Sequence, residues 1–164
     1  MNRVVDLHGC ILPAVLGPQG PQTMAESVKM IKSLAEQGIT DIFSTPDVTV
    51  SMDMNTWDEM ETTLNDVKLA VGEQQVDVTI HGGARVLLCD EMIEYIASHR
   101  KQYLLGNSHF MLVSIPENSK VHHINAWLLA LLNMEIIPII SEVETHRQHK
   151  RSPKLFQCHQ LDRY

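Results

Sequence analysis

A carboxylate and an imidazole lie two residues apart near the start of the chain. Asp6 and His8 come at the end of a short β-rich run. In an extended segment, residues two apart point to the same side, so these two side chains can converge on one ligand. An oxygen donor beside a nitrogen donor suits a divalent metal such as Mn²⁺, Fe²⁺ or Zn²⁺. The triplet alone is weak evidence, because D-x-H arises often by chance.

The elements that would position such a site alternate along the chain. T-x-x-E capping boxes at Thr23 and Thr56 predict the starts of two helices, and Ser152 followed by Pro153 predicts the start of a last one. Alternating strands and helices with apolar strands predict an α/β fold with a parallel sheet or barrel. Functional groups then gather at the carboxyl ends of the strands. The predicted strands are residues 4–7, 39–44, 76–81, 110–115 and 136–140, and the predicted helices between them are residues 23–38, 56–71, 90–99 and 121–133.

Composition narrows the class of protein. The 164 residues are 44% hydrophobic, which is enough for a single domain over residues 1–164 with a substantial core. The formal charge of −7 argues against nucleic-acid binding, although residues 145–164 form a basic segment that we expect to be solvated. We expect no membrane span and no leader, because no apolar run is long enough.

The three cysteines are scattered and do not suggest a disulfide framework. Reduced thiols favour a cytoplasmic protein. Neither Cys10 nor Cys158 lies in the C-x₅-R loop of cysteine-based tyrosine phosphatases, which excludes that mechanism.

Several segments together resemble one family. DLHGCILP at residues 6–13 resembles the opening D-x-H-x-H-I-L-P motif of the CpsB/CapC-type bacterial protein-tyrosine phosphatases of the PHP superfamily. Residues 45–47, 82–84, 107–116 and 138–145 are similar to that family's T-P-H, G-x-E, E-F-P and H-P-E-R segments. The resemblance covers nearly the whole chain but not the family's last strands. It therefore implies a shortened domain, a partial PHP-type (βα) barrel of about five parallel strands with outer helices.

The resemblance also implies a site that has lost most of its ligands. Family members hold a cluster of metal ions that generates a hydroxide nucleophile, while an arginine helps to bind the phosphate. The ligand motif of the last strands and the acidic pair after I-L-P have no counterpart. Asp6, His8 and Glu144 match the family pattern, whereas Cys10, Asp47 and Glu142 replace histidines, Ala84 replaces the metal-bridging glutamate and Thr145 replaces the arginine.

Two interpretations of these replacements are open. Asp6, His8, Asp47 and Glu142 could form a rewired single-metal site, holding one Mn, Zn or Fe ion weakly in a phosphohydrolase. Alternatively, the chain binds no metal, is non-catalytic and acts by binding protein. The resemblance suggests a bacterial tyrosine kinase or a full-length family member as partner, in capsule or exopolysaccharide regulation. A decaying remnant with no selected role is a third possibility.

The last predicted strand bears on assembly. Residues 136–140 are apolar on both faces, as expected of a buried parallel strand. The strand that would cover it in a full barrel is not supplied, so we expect a homo-oligomer.

Overall fold

The computed structural model describes residues 3–15, 20–51 and 54–142. All strand pairs in this part of the chain are parallel. The strands are β1 (Val5–Gly9), β2 (Asp41–Ser44), β3 (Asp47–Val48), β4 (Thr79–Gly82), β5 (Arg85–Leu87), β6 (Phe110–Ser114) and β7 (Ile137–Ile140). The helices are α1 (Met24–Glu36), α2 (Met54–Glu73), α3 (Asp90–Tyr103) and α4 (Val121–Asn133). None of these helices has the length and apolar character that a membrane crossing requires.

The strands form two sheets that follow one another around the molecule. One sheet has the order β1-β2-β4 and the other the order β3-β5-β6-β7. Thr45 and Pro46 separate β2 from β3, and Gly83 and Ala84 separate β4 from β5. Each break divides one long strand into two. The two broken strands remain paired at this level, because the Arg85 amide donates to the Pro46 carbonyl at 2.9 Å. The described residues therefore form five successive parallel strand paths, which confirms the predicted partial (βα) barrel.

The two faces of this wall differ. Met111 and Val113 point towards the helices and belong to a buried cluster that includes Ile96 and Trp127. A second cluster joins Ile42 to α1 and α2 through residues such as Val67. The alternate strand residues face the concave side, because side chains alternate along a strand. That side is where a barrel would hold its functional groups.

Local signals explain some of the element boundaries. Thr23 caps α1 as predicted, because its Oγ1 accepts the Glu26 amide at 3.2 Å. The α2 prediction was wrong at its start: the helix begins at Met54, so Thr56 lies inside it. β3 and β5 were not predicted. The helix expected at Ser152 and the basic segment 145–164 lie outside the described residues.

Candidate functional site at the strand ends

Asp6 and His8 lie on β1, where the pairing with β2 is irregular. Asp6 is opposite Ile42 and Gly9 is opposite Ser44, so β1 contains a bulge between these two pairs. The bulge breaks the simple alternation that would make the two side chains converge. Asp6 Oδ1 instead accepts a hydrogen bond from the His8 backbone amide at 2.9 Å.

The His8 ring makes its own contact with the end of β2. Its Nδ1 lies 2.9 Å from Thr45 Oγ1, and that hydroxyl donates to the Leu7 carbonyl at 3.1 Å. Because the hydroxyl proton is used in this way, Thr45 must accept from His8, which places the ring proton on Nδ1. The lone pair of His8 Nε2 is then available, and Cys10 Sγ lies 3.9 Å from it.

Cys10 does not supply a ready thiolate. Burial raises the pKa of this thiol, and the negative charge of Asp47 raises it further, while Arg85 acts in the opposite direction. A thiol whose pKa is raised stays protonated at neutral pH. Cys10 is therefore a poor nucleophile and a poor metal ligand in this arrangement.

Arg85 dominates the electrostatics of the concave side. It is directly opposite Asp47 in the β3–β5 register. Its Nε and Nη2 donate to Asp47 Oδ1 and Oδ2 at 2.5 and 2.8 Å, a two-point fork. Its Nη1 lies 3.1 Å from Glu142 Oε1, close enough for an ion pair although not aligned as a hydrogen bond. The Arg85 side chain is only 15% exposed.

These contacts fix the charge of Arg85. The hydrogen bonds that Arg85 donates to Asp47 raise the pKa of the guanidinium above its ordinary value, burial opposes this rise, and the charges of Asp47 and Glu142 add to it. Two of the four predicted metal ligands thus already hold a permanent cation.

The family's bridging glutamate was placed at Ala84, which is buried in the core cluster on the helix side. The next residue, Arg85, reaches the concave side and was missed. A lone arginine in the apolar stretch that contains Val86, Leu87 and Leu88 is the sequence signal that could have revealed it.

The described residues do not fit a metal ion as they are arranged. Nowhere in residues 3–15, 20–51 and 54–142 do three His, Cys, Asp or Glu side chains come together in a group that could hold one. Asp6 bonds to the backbone of its own strand, and Asp47 and Glu142 lie against Arg85. The predicted set of Asp6, His8, Asp47 and Glu142 stays a prediction that would require Arg85 to move.

Comparison with known proteins decides the family. The family described as "Capsular polysaccharide synthesis, CpsB/CapC" matches residues 4–148. The chain belongs to the CpsB/CapC family. It is 25% identical over 144 residues to a Staphylococcus aureus protein named "Putative tyrosine-protein phosphatase CapC", covering 88% of this chain and 55% of that relative.

The fold is also shared with solved members of the CpsB/CapC family. A chain from the crystal structures of YwqE from Bacillus subtilis and CpsB from Streptococcus pneumoniae, described as metal-dependent tyrosine phosphatases, matches with a TM-score of 0.78 and 22% identity. The match covers 93% of this chain and 60% of that one. This chain thus spans little more than half the length of the relatives that it matches.

Proposed function

We propose that this CpsB/CapC chain does not hydrolyse phosphotyrosine and acts by binding protein. The observation that carries the proposal is the Arg85 guanidinium, which is held by Asp47 and lies beside Glu142. Metal-dependent phosphatases need carboxylates that are free to bind ions, since the ions generate the nucleophile and neutralise the phosphate. Here the Arg85 guanidinium contacts both carboxylates and balances one of their two negative charges.

Coulomb's law indicates how strongly Arg85 opposes a metal. Two unit charges about 4 Å apart interact by about 4 kcal/mol at an effective dielectric constant of about 20, so a divalent ion beside Arg85 meets a penalty of roughly twice that. At the same distance and dielectric constant one carboxylate attracts the ion as strongly as Arg85 repels it, so Arg85 cancels the contribution of one of the two carboxylates. Arg85 would have to leave before an ion could bind Asp47 and Glu142.

A weak single-metal phosphohydrolase is the second candidate function. The observation that favours it is the tautomer of His8, since the ring proton on Nδ1 leaves the Nε2 lone pair with only the Cys10 thiol, 3.9 Å away, to displace. Asp6 and one of Asp47 or Glu142 would complete such a site, with water, and the stoichiometry would not exceed about one ion per chain.

Metal binding by matched variants separates the two candidates. Purified protein prepared without added metal should contain none by elemental analysis, and titrated Mn²⁺ should bind poorly. Arg85→Gln should bind Mn²⁺ at least tenfold more tightly, because it frees both carboxylates. Arg85→Lys should bind Mn²⁺ about as weakly as the parent, because it keeps the positive charge. Lys32→Gln removes the same charge from an exposed position on α1 and should leave the Mn²⁺ affinity unchanged.

Activity provides the other half of this test. We expect no Mn²⁺-dependent turnover of phosphotyrosine peptides. A turnover that disappears in the Asp6→Ala, His8→Ala double variant would contradict the proposal, as would two or three ions per chain. Tight Mn²⁺ binding by the parent that is lost on Asp47→Asn would support the single-metal alternative.

The family suggests where such a protein would act. We propose a cytoplasmic role in capsule or exopolysaccharide regulation, with a bacterial tyrosine kinase or a full-length family member as the partner. The similarity to proteins named as tyrosine phosphatases supports the kinase, and the edge of β7, which pairs only with β6 among the described residues, supports association with a chain of the same fold.

A further inference from the structure

The wall of strands ends at β1 on one side and at β7 on the other. Among the described residues, β1 pairs only with β2, and β7 pairs only with β6. Each end strand therefore presents a row of backbone N–H and C=O groups without a strand partner, an arrangement that favours pairing with another strand. Because every strand pair of the wall is parallel, the two open edges run in the same direction.

Apolar side chains are exposed at both of these edges. Val5 of β1 is 45% exposed, and Ile137 of β7 is 47% exposed. Val5 is paired with Asp41 and Ile137 with Phe110, and the residue after each of these partners packs against the helices. Side chains alternate along a strand, so Val5 and Ile137 both point to the concave side. The two edges thus carry apolar side chains on the same face.

The residues just before these two side chains carry opposite charges. Arg3 lies two residues before Val5, and its side chain is 71% exposed although it binds Asp41. Glu135 lies two residues before Ile137, is exposed and makes no ion pair with another described residue. With Ile137 of one copy opposite Val5 of a second, Glu135 would lie near Arg3 of that second copy.

Two copies of the chain can satisfy both edges at once. A twofold axis parallel to the strands sets β7 of each copy beside β1 of the other, in the parallel sense that the wall already uses. The same junction is then made twice and leaves no open edge. Two walls of five strand paths give a ring of ten, within the range of about 8 to 22 strands of known closed barrels. Pairing of β7 with a second β7 would instead be antiparallel and would leave both β1 edges open.

We propose that two copies of this chain associate edge to edge, with β7 of each beside β1 of the other, as one closed barrel. The concave sides then face each other and cover the exposed side chains of Val5, Phe110 and Ile137. The attraction between Glu135 and Arg3 favours this register over one shifted along the strands. The pairing rests on the protein-binding function proposed above, but Mn²⁺ binding does not depend on it, so the failure of either can be recognised separately.

Cysteine cross-linking tests which edges meet. Opposed residues of adjacent strands lie within the Cα separation that a disulfide spans. Oxidation of a mixture of the Val5→Cys and Ile137→Cys single variants should give a covalent dimer, and peptide mass spectrometry should find the bridge between the two introduced cysteines and not at Cys10 or Cys89. A mixture of Val5→Cys with Leu129→Cys, which is exposed on α4, is the control and should give no such bridge. A bridge formed by Ile137→Cys alone would show that β7 meets β7 and would overturn the proposal.

Charge reversal tests the register. Light scattering of the parent should give twice the mass of the chain, with no further growth as the concentration rises. Glu135→Lys should raise the dissociation constant of the dimer at least tenfold, because it places like charges at both junctions. Glu94→Lys makes the same change at an exposed position on α3 and should alter that constant less than twofold. Equal effects of the two variants, or a mass that grows beyond two chains, would contradict the closed dimer.

Discussion

Asp41 is the most strongly engaged carboxylate of the described residues. Its side chain is only 4% exposed. It accepts a bidentate pair of bonds from Arg3, a bond from His81 Nε2 at 3.0 Å and one from Thr40 Oγ1 at 2.8 Å. These bonds hold the pKa of Asp41 well below its usual range, and the bonds from Arg3 have the largest effect. The network ties the segment before β1 to β2 and β4, so it aligns the three strands of the first sheet.

The depressed pKa predicts how stability changes with pH. A carboxyl group whose pKa is lower in the folded state contributes stability above its unfolded pKa of about 3.9 and loses it as pH falls towards the folded value. Asp41→Asn should therefore lower the free energy of unfolding at pH 7, and the difference from the parent should shrink below about pH 4. Denaturant unfolding between pH 7 and 2.5 measures this, with exposed Asp58→Asn as control. A difference that stays constant over that range would show that the Asp41 charge is not the cause.

Residue types were easier to predict from sequence than their partners. Asp6 and His8 were identified from their spacing, and Asp47 and Glu142 from the family resemblance; the last two do lie on the concave side, near Arg85. The pairing of Asp47 with Arg85 depends on the register of two short strands 38 residues apart in sequence. The bulge in β1 likewise depends on contact with β2. Neither feature has a periodic signal in the sequence.

Elements were predicted where local chemistry defines them. α4 was predicted with the bounds that it has, because it is strongly apolar and Pro116 ends the preceding strand. β3 has two residues and β5 has three, too short for an alternation to be visible. Pro46 and Gly83 look like terminators in the sequence. In the fold they are breaks, after which each strand resumes in the second sheet.

The cap of α1 allows a test at the level of one element. Thr23 Oγ1 accepts the Glu26 amide, and Glu26 Oε2 accepts the Gln22 amide at 2.7 Å, one residue before the expected partner. Thr23→Ala should lower the free energy of unfolding by about 1 kcal/mol, because it leaves a helix amide unsatisfied. Thr62→Ala is the matched control: the Thr62 hydroxyl donates to the Asp58 carbonyl inside α2, where alanine is tolerated well. Equal losses in the two variants, measured by denaturant unfolding, would contradict a capping role.

The molecule as a whole is a wall of five strand paths with helices on one side. The resemblance to a known family predicted this arrangement, and periodicity alone would not have distinguished a sheet from a barrel segment. On the concave side, Phe110 and Ile137 are paired in the β6–β7 register and are 43% and 47% exposed. Apolar side chains in adjacent positions on an open face are unusual for an isolated chain and favour association.

The exposed edge of β7 predicts that the protein self-associates. Within the described residues β7 pairs with β6 alone, so one side of an apolar strand has no strand partner. Exposed backbone groups beside apolar side chains invite a second strand. We therefore expect at least a dimer by light scattering. Ile137→Glu should shift it towards monomer by placing a charge at the edge, whereas Leu129→Glu, at a more exposed position on α4, should not. A monomer across a wide concentration range, with slow amide exchange in Ile137–Ile140, would mean that the edge is covered within the chain.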